Sequence, residues 1–171
     1  MGEYQHIRHT FEPVYNEQSV ILILGSLPSV KSREAGFYYG HPRNRFWQVL
    51  SRLLECPLPQ DTEEKKKMLL ENGIAVWDVI HECDIIGSSD SSIKNVTPAD
   101  IPKVLKGSRI TRIFANGDKA YRLYQKHCEG AVGIKAVKLP SSSPANAVFT
   151  LDRLTDAWRE LMYGKKTDQK L

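Results

Sequence analysis

The stretch VILILGSLPS at residues 20–29 decides the fold. Its first half, Val20-Ile-Leu-Ile-Leu24, is a continuous apolar run, which is typical of a parallel strand buried on both faces. Its second half, Gly25-Ser-Leu-Pro-Ser29, has the composition of a loop. Open α/β sheets place their functional groups in loops at the carboxyl ends of strands. We therefore predict a buried strand that leads directly into a functional loop.

Strands and helices alternate along the rest of the chain. Apolar runs predict three further strands, at residues 74–80, 110–115 and 134–139. Helical spacing and turn residues predict helices at residues 44–55, 62–72, 98–106, 119–128 and 151–162. This alternation predicts an α/β fold, a three-layer α/β/α sandwich with a central four-stranded parallel sheet.

The length of 171 residues fits one domain. We expect a single domain over residues 1–171, with a core at about 18–162, a polar loop at 87–95 and a basic tail at 164–171. No leader-like segment or apolar run of membrane length occurs in the sequence, so we expect a cytoplasmic protein that is neither secreted nor membrane-bound. We also expect a monomer.

Composition and motifs exclude several classes of site. The net charge of +4 favours a polyanionic partner only weakly. The three cysteines are widely spaced and form no CxxC or Cys-His pattern, so no metal site is predicted and a reducing compartment is favoured. The segment Gly25–Ser32 would need a glycine at Val30 to form a phosphate-binding P-loop, and no GxGxxG motif is present.

The segment FYYGHPRNRFW at residues 37–47 is the second informative stretch. It combines aromatic residues with a histidine, an asparagine and two arginines just before a predicted helix. Aromatic rings beside arginine suit a flat, extruded base better than a phosphate alone. The predicted strands are followed by Ser26, Asp78, Asn116 and Ser141, and parallel strands bring such residues to one edge of the sheet.

Four segments in this order, GSLPS, HPRNRFW, GIAVWDVI and LPSSSPANA, resemble the uracil-DNA glycosylase superfamily. The resemblance runs from Val20 to about Trp158, and HPRNRFW is similar to its mismatch-specific (Mug/thymine-DNA glycosylase) branch. The combination is most similar to the hypoxanthine-DNA (deoxyinosine) glycosylase branch. The chain departs from the wider superfamily at Leu27, where the first motif usually has a catalytic Asn, and at Ser141–Asn146, which lacks the usual His.

The resemblance implies a monofunctional DNA glycosylase that hydrolyses the N-glycosidic bond of a flipped, deaminated base and leaves an abasic site. The main substrate would be hypoxanthine in DNA, and no cofactor or metal would be required. Its partner would be DNA containing deaminated bases, so a prokaryotic protein of this kind would be nucleoid-associated. Two alternatives stay open: a uracil/mismatch-specific DNA glycosylase, and a catalytically silent nucleic-acid-binding domain.

The resemblance assigns catalysis to Asn44, whose amide could orient water or donate a hydrogen bond. Position alone favours a helix N-cap for the same residue. Asp78 stands where uracil-recognising relatives carry Asn, and an ionised Asp offers only acceptors, which would suit the N1–H of hypoxanthine. An N-cap or turn role for Asp78 is equally open.

The other predicted site residues fall into two groups. Base-binding residues would be Ser26, Leu27, Ser29, Tyr39 and Asp78, with Tyr39 stacking on the base, whereas Phe37 and Tyr38 suit the core better. DNA-binding residues would be His41, Ser141, Ser142, Ser143 and Asn146, which could hold phosphates or enter the gap left by the base. Simple turn and loop roles remain alternatives for the histidine and the serines.

Overall fold

The computed structural model describes residues 2–9, 11–27, 30–87 and 89–162. The strands in these residues are Tyr4–Arg8 (β1), Ile21–Gly25 (β2), Ile74–Asp78 (β3), Ile80–Ile86 (β4), Lys94–Pro98 (β5), Arg112–Asn116 (β6) and Ala136–Leu139 (β7). The α-helices are Val30–Ala35 (α1), Phe46–Leu54 (α2), Thr62–Glu71 (α3), Ile101–Lys106 (α4), Asp118–His127 (α5), Glu129–Val132 (α6) and Leu151–Trp158 (α7). Ser29 and the predicted basic tail at 164–171 lie outside the described residues.

A four-stranded parallel sheet in the order β3-β2-β6-β7 forms the centre of the fold, as the sequence predicted. All five residues of β2 are buried. Ile21 and Ile23 pack into one apolar cluster, with residues of α2, α3 and α7, while Leu22 and Leu24 pack into a second, with residues of α4 and α5. Successive side chains of a strand point to opposite faces, so helices cover both faces of the sheet and the α/β/α prediction is confirmed.

A second sheet was not predicted. β1, β4 and β5 form an antiparallel sheet in the order β1-β4-β5. The predicted strand at 74–80 is in fact two strands, because the chain leaves the central sheet at Val79, whose N–H donates to the carbonyl of Gly25 at 2.8 Å. β4 buries Ile80, Cys83 and Ile85 as a small third cluster. Polar residues separate these buried positions, so the sequence contains no continuous apolar run that would predict this strand.

Smaller differences concern the loops and helix ends. The predicted helix at 44–55 begins at Phe46, and α5 begins at Asp118 with Gly117 as its N-cap, so Asp118 is the first helical residue rather than the cap. Part of the predicted loop at 87–95 belongs to β5. No helix among residues 2–9, 11–27, 30–87 and 89–162 is long and apolar enough to cross a membrane.

The carboxyl ends of the parallel strands bring four polar segments together. Gly25 ends β2, Asp78 ends β3, Asn116 ends β6, and Ser141 lies just beyond β7. The start of α2 joins the same edge, because the Arg45 N–H donates to the carbonyl of Ser142 at 3.1 Å. The fold therefore builds its site where the two informative sequence stretches meet.

Candidate active site

A cavity of about 830 Å³ opens at this edge of the sheet, a volume within the usual range for small-molecule sites. Most of the predicted site residues line it: Ser26, Leu27, Tyr39, Asn44, Asp78, Ser141, Ser142, Ser143 and Asn146. His41 is half-buried and precedes Asn44, which lines the cavity, by three residues. Its Nδ1 accepts a hydrogen bond from the Arg43 N–H at 3.0 Å. That contact is the turn arrangement foreseen as an alternative for His41.

Asn44 is held by a chain of hydrogen bonds whose directions are all determined. The Phe46 N–H donates to Asn44 Oδ1 at 2.9 Å, which fixes the orientation of the Asn44 amide. The Ser142 N–H donates to Asn116 Oδ1 at 3.0 Å, so the NH₂ of Asn116 faces Ser142 Oγ, at 2.9 Å. Ser142 Oγ therefore accepts from Asn116 and donates its own proton to Asn44 Oδ1, at 2.8 Å.

This chain decides which part of Asn44 meets a ligand. Its carbonyl oxygen accepts two hydrogen bonds, and a carbonyl oxygen has two lone pairs. Its Nδ2 makes no hydrogen bond within the described part of the chain, and Asn44 lines the cavity. Arg45, and not Asn44, is the N-cap of α2. Asn44 Oδ1 nevertheless binds the first N–H of the helix and Ser142, and the NH₂ group remains for the cavity.

Asp78 lies at the bottom of the cavity with its side chain only 4% exposed. Its Oδ2 receives a hydrogen bond of 2.7 Å from His9 Nε2. Its Oδ1 lies against Gly25, where an added Cβ atom would stand 2.4 Å from this oxygen and 2.9 Å from the hydroxyl oxygen of Tyr39. Any side chain at position 25 would displace these groups, so the glycine allows Asp78 and Tyr39 to approach the end of β2.

Tyr39 supplies an aromatic wall to the cavity. Its ring stacks on Phe46 with a centroid distance of 4.0 Å and an interplanar angle of 16°. Its φ of 53° is in the left-handed region, which residues other than glycine rarely adopt and which is found in functional sites where packing enforces it. Burial raises the pKa of the Tyr39 phenol, and the charge of Asp78 raises it further, so the group stays protonated. Phe37 and Tyr38 are buried in the core, as predicted.

The serine loop differs from the predicted picture at one position. Ser142 is completely buried and its hydroxyl is engaged by two side chains, so it does not reach a phosphate and instead supports Asn44. Ser143 Oγ accepts only a local hydrogen bond, from the Ala145 N–H at 3.1 Å, and Asn146 Nδ2 donates to the carbonyl of Ser141 at 3.0 Å. Ser141, Ser143 and Asn146 are half-buried.

Arg45 holds this loop and was not predicted. Its guanidinium donates to the carbonyls of Ser143 at 2.8 Å and Asn146 at 3.0 Å, and also to the carbonyl of Phe149. Hydrogen bonds from a charged donor are among the stronger ones in proteins. The motif HPRNRFW contained this arginine, but nothing in the sequence showed that its partners would be backbone carbonyls about a hundred residues away.

Two other residues were missed by sequence reasoning. His9 lies outside all four motifs and reaches Asp78 only because β1 joins the second sheet. Val148 is 74% exposed, on the same loop as the serines and between Asn146 and Phe149, which both line the cavity. A large exposed apolar residue in a polar loop is a signal that the sequence did contain.

Leu27 takes the position of the usual catalytic Asn and lines the cavity as an apolar residue. It also packs against the cluster of Ile80, Cys83 and Ile85. This wall of the cavity can therefore neither donate nor accept through the side chain at position 27. Ser26 is half-buried nearby, and its carbonyl accepts from the Ile80 N–H at 3.1 Å.

Comparison with known proteins agrees with this geometry. Two curated relatives are each named hypoxanthine DNA glycosylase. The one from Methanosarcina acetivorans is 37% identical over 149 residues, covering 86% of this chain and 93% of the relative. The one from Methanosarcina barkeri is 38% identical over 139 residues, covering 80% and 86%.

A solved structure has a similar fold. The solution NMR structure of a candidate uracil DNA glycosylase from Methanosarcina acetivorans matches with a TM-score of 0.76 and 32% identity, over 92% of this chain and 99% of that one. The family model of the uracil DNA glycosylase superfamily matches residues 12–162. The match includes every described strand and helix that lines the cavity. This chain belongs to the uracil DNA glycosylase superfamily.

Proposed function

We propose that this protein is a DNA repair glycosylase that hydrolyses the N-glycosidic bond of hypoxanthine in DNA and leaves an abasic site. The observation that carries the proposal is the pairing of two oriented groups in one cavity: the NH₂ of Asn44 and the carboxylate of Asp78. The names of the two Methanosarcina relatives support the same activity. The reaction uses water and needs no cofactor.

The base would be bound between an aromatic ring and a carboxylate. Tyr39 offers a ring for stacking, a contact that contributes about 1–3 kcal/mol per base. Asp78 offers only acceptors when ionised, which matches the N1–H of hypoxanthine. Adenine has an unprotonated N1 at the same place, so its lone pair would face the carboxylate oxygen. The cavity would therefore favour the deaminated base over its parent.

Asn44 would act on the departing base. Glycosidic cleavage leaves positive charge on the sugar and negative charge on the base, and oriented donors stabilise such developing charge. Because both lone pairs of Asn44 Oδ1 are occupied, its carbonyl is poorly placed to orient water. Its NH₂ would instead donate to the base as negative charge grows there. Asn44 has no useful proton affinity, so it would act without proton transfer.

Leu27 accounts for a preference against uracil. The resemblance to the superfamily places a polar catalytic group at this position in uracil-excising relatives, and leucine provides none. The apolar side chain would also pack against a purine, which is larger than uracil and fills more of the cavity.

DNA contacts would come from half-buried residues in and beside the cavity. We assign these to His41, Ser141, Ser143 and Asn146, and keep Ser142 as a support for Asn44. Lys138 also lines the cavity and is 52% exposed, with its ammonium 3.5 Å from Asp118. A cation here would attract the phosphate backbone, so binding should weaken as salt rises. We continue to expect a monomer acting on DNA.

The test is strand nicking by alkali on matched duplexes that contain one hypoxanthine or one uracil. Wild type should release hypoxanthine much faster than uracil. Asn44→Ala should lower the single-turnover rate by at least about tenfold, a barrier of about 1.4 kcal/mol. The matched control is Gln48→Ala, an exposed position on α2, the helix that follows Asn44, which should keep the wild-type rate.

Three outcomes would contradict parts of the proposal. Wild-type turnover by Asn44→Ala would remove Asn44 from catalysis. Faster release of uracil than hypoxanthine would favour the uracil/mismatch-specific alternative. Binding of both duplexes without release of either base would favour the silent binding domain.

A further inference from the structure

The buried pair of His9 and Asp78 has a single allowed arrangement. The Phe11 N–H donates to His9 Nδ1 at 3.1 Å, so Nδ1 carries no proton and serves as the acceptor. The ring proton is therefore on Nε2, which donates to Asp78 Oδ2 at 2.7 Å. The side chains are 2% and 4% exposed, so water does not compete for this hydrogen bond.

Two aromatic rings and a backbone hydrogen bond hold the imidazole of His9 in position. Its ring packs edge-on against Phe11, with centroids 5.6 Å apart, and lies 6.0 Å from the ring of Tyr38. Its backbone N–H donates to the carbonyl of His81 at 2.6 Å, one step beyond the paired residues of β1 and β4. The second sheet therefore holds His9 in place, and the Nε2–H of His9 donates to Asp78 at the end of β3 in the central sheet.

We propose that His9 is a positioning residue that holds Asp78 as a one-sided acceptor and thereby sets the preference for hypoxanthine, whose N1 carries a hydrogen, over adenine, whose N1 does not. This rests on the proposed function, since Asp78 must read the base. With Oδ2 bound to His9, the carboxylate turns Oδ1 toward Gly25 and Tyr39 at the cavity. Without His9, the carboxylate would be free to rotate and its acceptor would no longer have one direction.

The arrangement predicts how the amide of an Asp78→Asn variant would be oriented. The donor of His9 cannot reverse, because the Phe11 N–H occupies Nδ1. Asp78→Asn must then turn its carbonyl oxygen to His9 and its NH₂ to the cavity, where it would oppose the N1–H of hypoxanthine. Removing the His9 donor as well frees the amide to turn its oxygen to the base. The second substitution should therefore partly restore what the first one lost.

The experiment compares the intact pair, His9→Leu, Asp78→Asn and the double variant, all in the Asn44→Ala background, in the binding of matched duplexes that contain one hypoxanthine or one adenine. Each single substitution should lower the ratio of hypoxanthine to adenine affinity by at least about tenfold, or about 1.4 kcal/mol. The double variant should have a higher ratio than Asp78→Asn. His9→Gln, whose amide can still donate, should stay within about threefold of the wild-type ratio.

Two results would overturn the positioning role. One is an equal fall in affinity for the hypoxanthine and adenine duplexes with His9→Leu, which is the signature of general destabilisation. The other is simple addition of the two single effects in the double variant. If His9→Leu fails to fold, His9→Gln and nitrogen NMR of the wild-type ring keep the proposal testable. NMR should show Nε2 protonated and Nδ1 bare, and a proton on Nδ1 instead would refute it.

The same set separates this inference from the proposed function. If wild type releases neither hypoxanthine nor uracil, the proposed function fails, but binding of hypoxanthine and adenine duplexes can still be compared in the Asn44→Ala background. A tenfold loss of hypoxanthine preference with His9→Leu there would support positioning, and an unchanged preference would refute it. If wild type releases hypoxanthine and His9→Leu keeps its selectivity, only the role of His9 is lost.

Discussion

Replacing Ser142 by alanine tests the hydrogen-bond chain behind Asn44 most directly. The substitution removes one hydroxyl and leaves the backbone contacts of residue 142 with Asn116 and Arg45 in place. Asn44 Oδ1 loses its 2.8 Å partner and keeps the Phe46 N–H. Asn116 Nδ2 loses its 2.9 Å acceptor.

The expected magnitudes follow from these two losses. Asn116, the donor that loses its partner, is half-buried and lines the cavity, so the loss of this hydrogen bond should cost about 0.5–1.5 kcal/mol of the free energy of unfolding. For a chain of this size each kcal/mol lowers the melting temperature by about 2–4 °C. The hydrogen bond to Asn44 is worth about 0.5–1.5 kcal/mol. If it acts in the transition state, its loss slows base release by up to about tenfold.

The assay pairs urea denaturation with single-turnover release of hypoxanthine under conditions where the variant is fully folded. Ser91→Ala is the control, because Ser91 is exposed, its hydroxyl contacts that of Ser89 at 3.2 Å, and it does not line the cavity. We expect Ser142→Ala to be slower and less stable, and Ser91→Ala to be close to wild type in both. A Ser142→Ala variant with the wild-type rate, or equal effects of the two substitutions, would refute the role of the chain.

Two further substitutions examine the cavity and its rim. Gly25→Ala places a Cβ 2.4 Å from Asp78 Oδ1, so we expect a loss of about 1–3 kcal/mol of stability, as for other overpacked sites, and weaker binding of hypoxanthine duplexes. Gly130→Ala is the control, because its added Cβ would point into open space. It should shift the melting temperature by at most a few degrees and leave the binding unchanged. Val148→Ser should slow release from duplex more than from single-stranded DNA, because inserted apolar side chains stabilise an unstacked step. Leu58→Ser, at another exposed apolar position, is its control. If Val148→Ser lowers the rate equally on duplex and single-stranded DNA, insertion of Val148 into the duplex is contradicted.

The central sheet was predictable from sequence because its signals are local. The run at 20–24 is apolar on both faces, as a central parallel strand must be. The small and polar residues at the strand ends then identified the edge that carries the cavity. Asp78 was found in this way, whereas Asn44 and Tyr39 came from the segment at 37–47 and the resemblance that it carries. All three line the cavity.

The support of these residues was not predictable, because it depends on contacts between distant segments. Ser142 was expected at the DNA surface, yet the fold buries it between Asn44 and Asn116. His9 carried no motif, and its link to Asp78 required a second sheet whose strands alternate weakly between apolar and polar residues. A sequence shows which groups are available, but only the packing shows which of their hydrogen-bonding atoms remain free.

That distinction explains how ordinary polar residues become selective here. An isolated asparagine both donates and accepts, and a free carboxylate accepts from any direction. The scaffold occupies both lone pairs of Asn44 Oδ1 and one oxygen of Asp78. What remains is one donor and one acceptor, each with a set direction. Since groups fixed before the substrate arrives need no reorganisation during the reaction, the supporting residues contribute to both recognition and rate.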